Sequence, residues 1–184
     1  MITPDPFAAA ARGLAVFGLE PGGKRLLGPG WQHAAATDPD VLAATWRAGD
    51  NIGVGCWKSG VLGIDLDVKG GVDGIARFAA ACAEHGQPWP DTLTVRTPSG
   101  GGLHLYFTVP AGRIIDSASG TTPLGPGIDT RGPGAGGRGG YLVGPGSVVD
   151  GTTYTIDRDL PIATLPGWLT DLLHRPVPSA RRTP

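Results

Sequence analysis

The chain has 184 residues, among them 32 glycines and 18 prolines, and a formal net charge of −1, with an isoelectric point near 6.4. That balance excludes a general polyanion binder, so any nucleic-acid contact must come from a local basic patch. The glycine and proline content is of the kind that signals disorder, but 40% hydrophobic residues and five tryptophans point instead to a loop-rich globular domain able to bury a sizeable core. Cys56 and Cys82 are isolated, which leaves neither a disulfide framework nor a cysteine zinc site. The first residues lack a basic region and an apolar core, and no apolar run approaches ~20 residues, so a soluble, cytoplasmic protein with no membrane partner is expected.

In chain order, residues 6–13 read as a short helix and 14–19 as a strand ending in the turn Pro21-Gly22-Gly23. Asp38-Pro39 is an N-cap followed by proline at the first helical position. It opens a helix to about residue 47 that would bury Val41, Leu42, Thr45 and Trp46. Residues 51–57 and 61–68 read as strands joined by Lys58-Ser59-Gly60. The stripe Ile75, Phe78, Ala79 and Cys82 has helical spacing and predicts a helix over 72–85, with Gly86 as its terminator. Strands are expected at 92–96, 103–109, 128–131 and 141–143, an edge strand at 152–156, and a closing helix at 165–173. The domain is read as 1–173, and 174–184 as a proline- and arginine-rich tail or linker. Strands with a few helices between them indicate an α+β sheet with helices on one side.

Two phosphate-loop patterns fail on context. Gly18 to Lys24 matches a P-loop until Arg25 takes the place of the Ser or Thr that reaches magnesium, and Leu26-Leu27-Gly28-Pro29-Gly30 cannot begin the required helix. Gly132-Pro133-Gly134-Ala135-Gly136-Gly137 fits a dinucleotide fingerprint, but no helix follows it.

The segment Gly63-Ile64-Asp65-Leu66-Asp67-Val68 carries the strongest chemical signal. Residues two apart on a strand share a face, so Asp65 and Asp67 lie about 6.6 Å apart on one side while Ile64, Leu66 and Val68 line the other. Like charges so placed repel and call for a cation between them; hard oxygen ligands suit Mg²⁺ or Mn²⁺. Asp129 has a comparable strand setting, with Arg131 on its face as a phosphate ligand or simply its ion-pair partner. Three converging carboxylates would offset much of the charge of two divalent ions, an arrangement that aligns a hydroxyl with a phosphoryl group. His104 alternates with Leu103, Leu105 and Phe107 and so faces away from the apolar side together with Tyr106. Beside Ser99-Gly100-Gly101-Gly102, whose backbone can approach phosphate oxygens, His104 and Ser99 are candidate triphosphate donors. His33, His85 and His174 read as ordinary surface or helix-end histidines. Among the basic residues, Lys24 and Arg131 stand apart from the surface background. The tryptophans read mainly as packing, with Trp31 or Trp57 as candidates to stack on a base.

In order along the chain stand Gly23-Lys24, Asp65-Leu66-Asp67, Thr97-Pro98-Ser99-Gly100-Gly101-Gly102-Leu103-His104, Asp129-Thr130-Arg131, Gly140-Tyr141 and Pro145-Gly146-Ser147. This ordered set, over residues 7–170, resembles the N-terminal primase–polymerase domain of bifunctional DNA primase/polymerases, a branch of the archaeo-eukaryotic primase superfamily. One extra residue precedes the histidine's usual neighbour, Gly132 to Gly139 lengthen the loop after Asp-x-Arg, and Pro145-Gly146-Ser147 replaces a double proline. The departures leave Arg131 and Arg138 as alternatives at the triphosphate.

The resemblance implies a two-lobed fold with an RRM-like catalytic sheet and an N-terminal α/β lobe. It implies a template-dependent nucleotidyltransferase, a DNA primase or DNA polymerase, acting on single-stranded or primed DNA. Asp65, Asp67 and Asp129 would hold two Mg²⁺ or Mn²⁺ ions; Ser99, Gly100, Gly101, His104, Arg131 and Lys24 would hold the nucleoside triphosphate, ribo or deoxy. A helicase or helical bundle is the accompanying domain or partner expected of such proteins. Two other readings of the same residues are a metal-dependent phosphodiesterase or nuclease with His104 as base, and a non-catalytic nucleic-acid-binding domain.

Overall fold

The computed structural model describes residues 4–98 and 100–174. The chain runs α1 (Pro6–Ala11), β1 (Val16–Leu19), α2 (Trp31–Ala34), α3 (Pro39–Thr45), β2 (Asn51–Gly55), α4 (Cys56–Ser59), β3 (Val61–Leu66), β4 (Val68–Lys69), β5 (Val72–Asp73), α5 (Gly74–Glu84), β6 (Thr94–Arg96), β7 (Leu103–Thr108), β8 (Ile128–Arg131), β9 (Tyr141–Val143), β10 (Val148–Val149), β11 (Thr152–Thr153), β12 (Thr155–Arg158), β13 (Ala163–Thr164) and α6 (Gly167–Leu173). This mixture of helix and sheet agrees with the expected α+β class.

Two sheets organise these elements. The larger has the order β12-β6-β7-β3-β8, with β13 added parallel to β7; the smaller is β1-β2-β9. Alternation decides what each face of the larger sheet meets. Leu62, Ile64, Leu66, Leu103, Leu105, Phe107 and Ile128 point one way, onto Phe78, Ala81 and Cys82 of α5 and Leu169 of α6. Each such side chain, removed from water, contributes about 1.5–3 kcal/mol. The opposite face turns Val61, Val95 and Tyr106 toward Val16, Ile52, Val54 and Leu142 of the smaller sheet. Helices therefore cover one side, as expected, and a second sheet covers part of the other.

Local chemistry explains where elements begin and end. The Asp38 carboxylate accepts from the N–H groups of Asp40 (2.8 Å) and Val41 (3.3 Å), which fixes the start of α3. That helix stops at Thr45 and buries only Leu42; Val41 is exposed and Trp46 lies just past the end. The strand expected over 51–57 ends at Gly55, and Cys56–Ser59 forms a helical turn closed by Gly60 in the left-handed region. The helix expected from residue 72 begins at Gly74, because Val72 and Asp73 pair with Lys69 and Val68 while the Asp73 carboxylate caps Ala76 N–H at 2.9 Å. The expected edge strand is two pieces around Tyr154, which turns inward; β12 forms the sheet edge. His174, read as the first tail residue, has Nδ1 3.2 Å from the Ile114 backbone nitrogen. The rest of the expected tail, from 175, lies outside the described residues. Among those residues no helix is long and apolar enough to cross a membrane.

Candidate active site

The antiparallel registers of β7, β3 and β8 place one polar rung across the larger sheet. Asp65 pairs with His104 on one side and with Asp129 on the other. Directly opposed residues share a face with Cβ atoms ~4.5–5.5 Å apart, so His104, Asp65 and Asp129 stand side by side. The next rung on that face is Tyr106, Gly63 and Arg131. Both rungs lie where the smaller sheet approaches, and a cleft of about 560 Å³ opens between the two. Asp65, His104 and Arg131 line it from the larger sheet; Tyr141, Leu142 and Val143 line it from β9, with Lys24, Arg25 and Trp31 at the rim.

Each carboxylate of the candidate set has a positively charged or proton-bearing neighbour. His104 Nε2 lies 3.4 Å from Asp65 Oδ1. Burial pushes the Asp65 carboxyl up, but the hydrogen bond and charge of His104, then Arg131 and Lys69, outweigh it and hold the group below its ordinary range. Asp129 Oδ2 meets Arg131 Nη2 at 3.1 Å, and its Oδ1 accepts from Gly120 N–H at 2.9 Å. Asp67, one residue beyond β3, meets Lys69 Nζ at 2.9 Å. Lys69 is raised from its usual value by its hydrogen bond to Asp67, against slight burial, and by the charges of Asp67, Asp65 and Asp129. The sequence reading counts Lys69 among the basic candidates but leaves it with the surface background, although its spacing from Asp67 repeats that of Arg131 from Asp129. In this arrangement no group of three or more His, Cys, Asp or Glu side chains among the described residues is gathered closely enough to hold a metal ion.

Gly100 and Gly101 have positive φ, and the turn they form lies against the segment that carries Asp67. A Cβ on Gly100 would overlap the Val68 carbonyl oxygen, and one on Gly102 would lie 2.5 Å from that of Leu66. These glycines are therefore required by close backbone approach, whatever else they bind. Ser99 lies outside the described residues. Lys24 is exposed on the rim, its carbonyl accepting from Tyr141 Oη at 3.0 Å. Arg138 borders a separate hollow with Asp116, Ala135 and Gly136, so of the two arginines only Arg131 shares the cleft with Asp65. Trp57 packs against His33, ring centroids 5.5 Å apart.

His104 is buried, as is Tyr106, and among the described residues His104 Nδ1 and Tyr106 Oη have no hydrogen-bond partner. Burial raises Tyr106 well above its ordinary value. Tyr154, on the cleft wall, is pushed up to about 12 by burial and then by Asp65, Asp67 and Asp150. Both phenols stay protonated near neutral pH. Cys56, buried and also pushed up to about 12 chiefly by desolvation, is an inert thiol.

A search of curated proteins returns no match to the chain. A family-wide comparison does: the model of the bifunctional DNA primase/polymerase N-terminal domain, Prim-Pol, matches residues 7–168. With that match spanning nearly the whole chain, and with Asp65 and His104 of the polar rung lining the cleft, the chain belongs to the Prim-Pol family of bifunctional DNA primase/polymerase N-terminal domains.

Proposed function

We propose that residues 1–173 form a template-dependent nucleotidyltransferase unit, joining nucleoside triphosphates on single-stranded or primed DNA. The observation that carries this reading is the direct cross-strand pairing of Asp65 with Asp129 beside a cleft that Arg131 also lines. The Prim-Pol match supports the primase/polymerase class. The two sheets facing each other across the cleft agree with the two-lobed, RRM-like architecture that the resemblance implies.

The carboxylates Asp65, Asp67 and Asp129 suit a divalent ion by donor chemistry, since all are hard oxygen ligands; Asp65 and Asp129 are direct cross-strand partners and Asp67 lies one residue beyond β3. When bound, two Mg²⁺ or Mn²⁺ ions would supply charge neutralisation at the attacking and leaving oxygens. The chain's own part is to hold and orient. Arg131 faces the cleft with a planar fork suited to phosphate oxygens, and Ser117 and Lys24 lie on the same wall and rim. Ser99, Gly100, Gly101 and His104 complete the proposed triphosphate contacts. Asp67 and Asp129, now paired with Lys69 and Arg131, would be the carboxylates that hold the ions with Asp65, and the two cations would then be available to phosphate oxygens. The proposed partners are the template and an accompanying helicase or helical bundle; cytoplasmic localisation is part of the same reading.

Purified protein incubated with primed and unprimed DNA, labelled nucleotides and Mn²⁺ tests it. Incorporation that requires both template and metal is expected. Cleavage of a plain phosphodiester with no synthesis would overturn the assignment.

A further inference from the structure

The cleft has a second kind of lining that the phosphate and metal roles do not use. Trp31 and Tyr141 border it from the side of the smaller sheet. Both are only partly buried, whereas Phe17 behind them is buried. The three rings form one group: Phe17 and Trp31 have centroids 4.9 Å apart with planes tilted 33°, Trp31 and Tyr141 meet edge-on at 5.1 Å, and Phe17 and Tyr141 edge-on at 5.8 Å. The group rests on bare backbone, because a Cβ on Gly53 of β2 would collide with the Phe17 ring. Tyr141 is further pinned by its hydroxyl bond to the Lys24 carbonyl. Such a wall is rigid before any ligand arrives, which lowers the ordering cost of binding.

We propose that the Trp31–Tyr141 wall is the nucleobase subsite of the cleft, holding the base of the incoming nucleotide by stacking while its phosphates reach toward Arg131. This rests on the nucleotidyltransferase reading above and adds the part of the substrate that reading leaves unplaced. The volume of the cleft, about 560 Å³, lies in the ordinary range for small-molecule sites. The wall also bears on selectivity. The Tyr141 hydroxyl is committed to Lys24, and the Trp31 ring offers a single indole N–H, so stacking dominates over edge recognition. Stacking accepts every base, because each has a π-face. That is what an enzyme copying a template requires of the protein side of its nucleotide site: the template chooses the base.

Equilibrium binding of inorganic triphosphate and of the four common nucleoside triphosphates, at fixed ionic strength and Mn²⁺ concentration, tests the proposal. Wild-type protein should bind every nucleoside triphosphate more tightly than inorganic triphosphate, by about five- to a hundredfold, with small differences among bases. Trp31→Leu should lose most of that margin yet bind inorganic triphosphate like wild type, which also reports that the variant is folded; Tyr141→Leu should lose most of the margin as well. Trp31→Phe should keep most of it. A margin unchanged in both leucine variants would overturn the stacking wall and leave the nucleotidyltransferase reading standing. Wild-type protein that binds neither inorganic triphosphate nor any nucleotide would overturn both.

Discussion

The backbone of Gly63 lies so close to Leu142 that a methyl group on Gly63 would overlap the Cδ1 and Cγ atoms of the leucine. Gly63 is on β3, two residues before Asp65, and Leu142 is on β9 of the smaller sheet. This contact sets how near the two sheets come beside the cleft. Gly63→Ala should destabilise the fold by about 1–3 kcal/mol through overpacking. Leu142→Ala alone should cost about 2–5 kcal/mol. The double variant should cost measurably less than the sum, by about 0.5 kcal/mol or more, in urea unfolding. Additive losses would show that the sheets do not meet through this pair.

Asp65→Asn, Asp67→Asn and Asp129→Asn should each lower nucleotide incorporation by at least about a hundredfold, as loss of several kcal/mol of charge stabilisation requires. Primer extension under saturating Mn²⁺ is the measurement, and extension near the wild-type rate by any one variant removes that residue from the site.

Acid should expose the role of Asp65 separately. Its folded-state pKa is depressed, so its stabilising contribution is present above the ordinary carboxylate value of ~3.9 and disappears as pH falls through the lower folded value. In metal-free buffer, wild-type protein should melt above Asp65→Asn near neutrality. The gap between the two melting temperatures should hold down to about pH 4 and close as pH falls further, through the lower folded value. A gap that does not shrink on acidification below about pH 4 would mean that Asp65 gains nothing from His104, Arg131 and Lys69.

Lys69 occupies the neighbourhood of all three carboxylates as a resident countercharge. An exposed ion pair of this type is worth at most ~1 kcal/mol, so Lys69→Ala should lower the Mn²⁺ concentration at half-maximal thermal stabilisation by about two- to fivefold. A rise instead would show that the lysine supports metal binding rather than competing with it.

The two arginines separate by kinetics. Arg131→Ala should raise the apparent KM for nucleotide by about tenfold or more, as loss of a charge-assisted bond predicts. Arg138→Ala, outside the cleft, should change it little. Equal effects would bring the loop 132–139 into the nucleotide site.

Alternation made β3, β7, β8 and β9 legible in the sequence, because Leu62, Ile64 and Leu66, or Leu103, Leu105 and Phe107, leave one consistent apolar side. Spacing within a strand put Asp65 and Asp67 together, but it says nothing about which residue stands opposite. The pairing of Asp65 with Asp129 and His104 is a property of register, set by turns and packing far from any of the three. The face bearing His104 and Tyr106 was correctly separated from the apolar side. That this face is covered by a second sheet was not visible, because a histidine and a tyrosine read as polar while both are buried. The strand pattern suggested a cation for Asp65 and Asp67; it did not reveal that His104 and Lys69 already stand beside them. Elements of two residues, such as β10 and β13, carry too short a pattern to detect.

Asp67 lies at a crossing of three chain segments. Its N–H donates to the Gly127 carbonyl and its own carbonyl accepts from Gly74 N–H, both at 2.8 Å. A Cβ on Gly74 would overlap the Gly127 oxygen, and one on Gly100 the Val68 oxygen next door. Three glycines widely separated in sequence thus share one narrow gap around a single carboxylate-bearing residue. A saturation screen scored on activity would mark Gly74, Gly100 and Gly127 as intolerant as the aspartates themselves, although none has a side chain to offer a substrate. Sensitivity to substitution would trace the outline of the machinery, and only chemically graded replacements, such as Asp to Asn or Glu, would tell its hinges and spacers from its reactive groups.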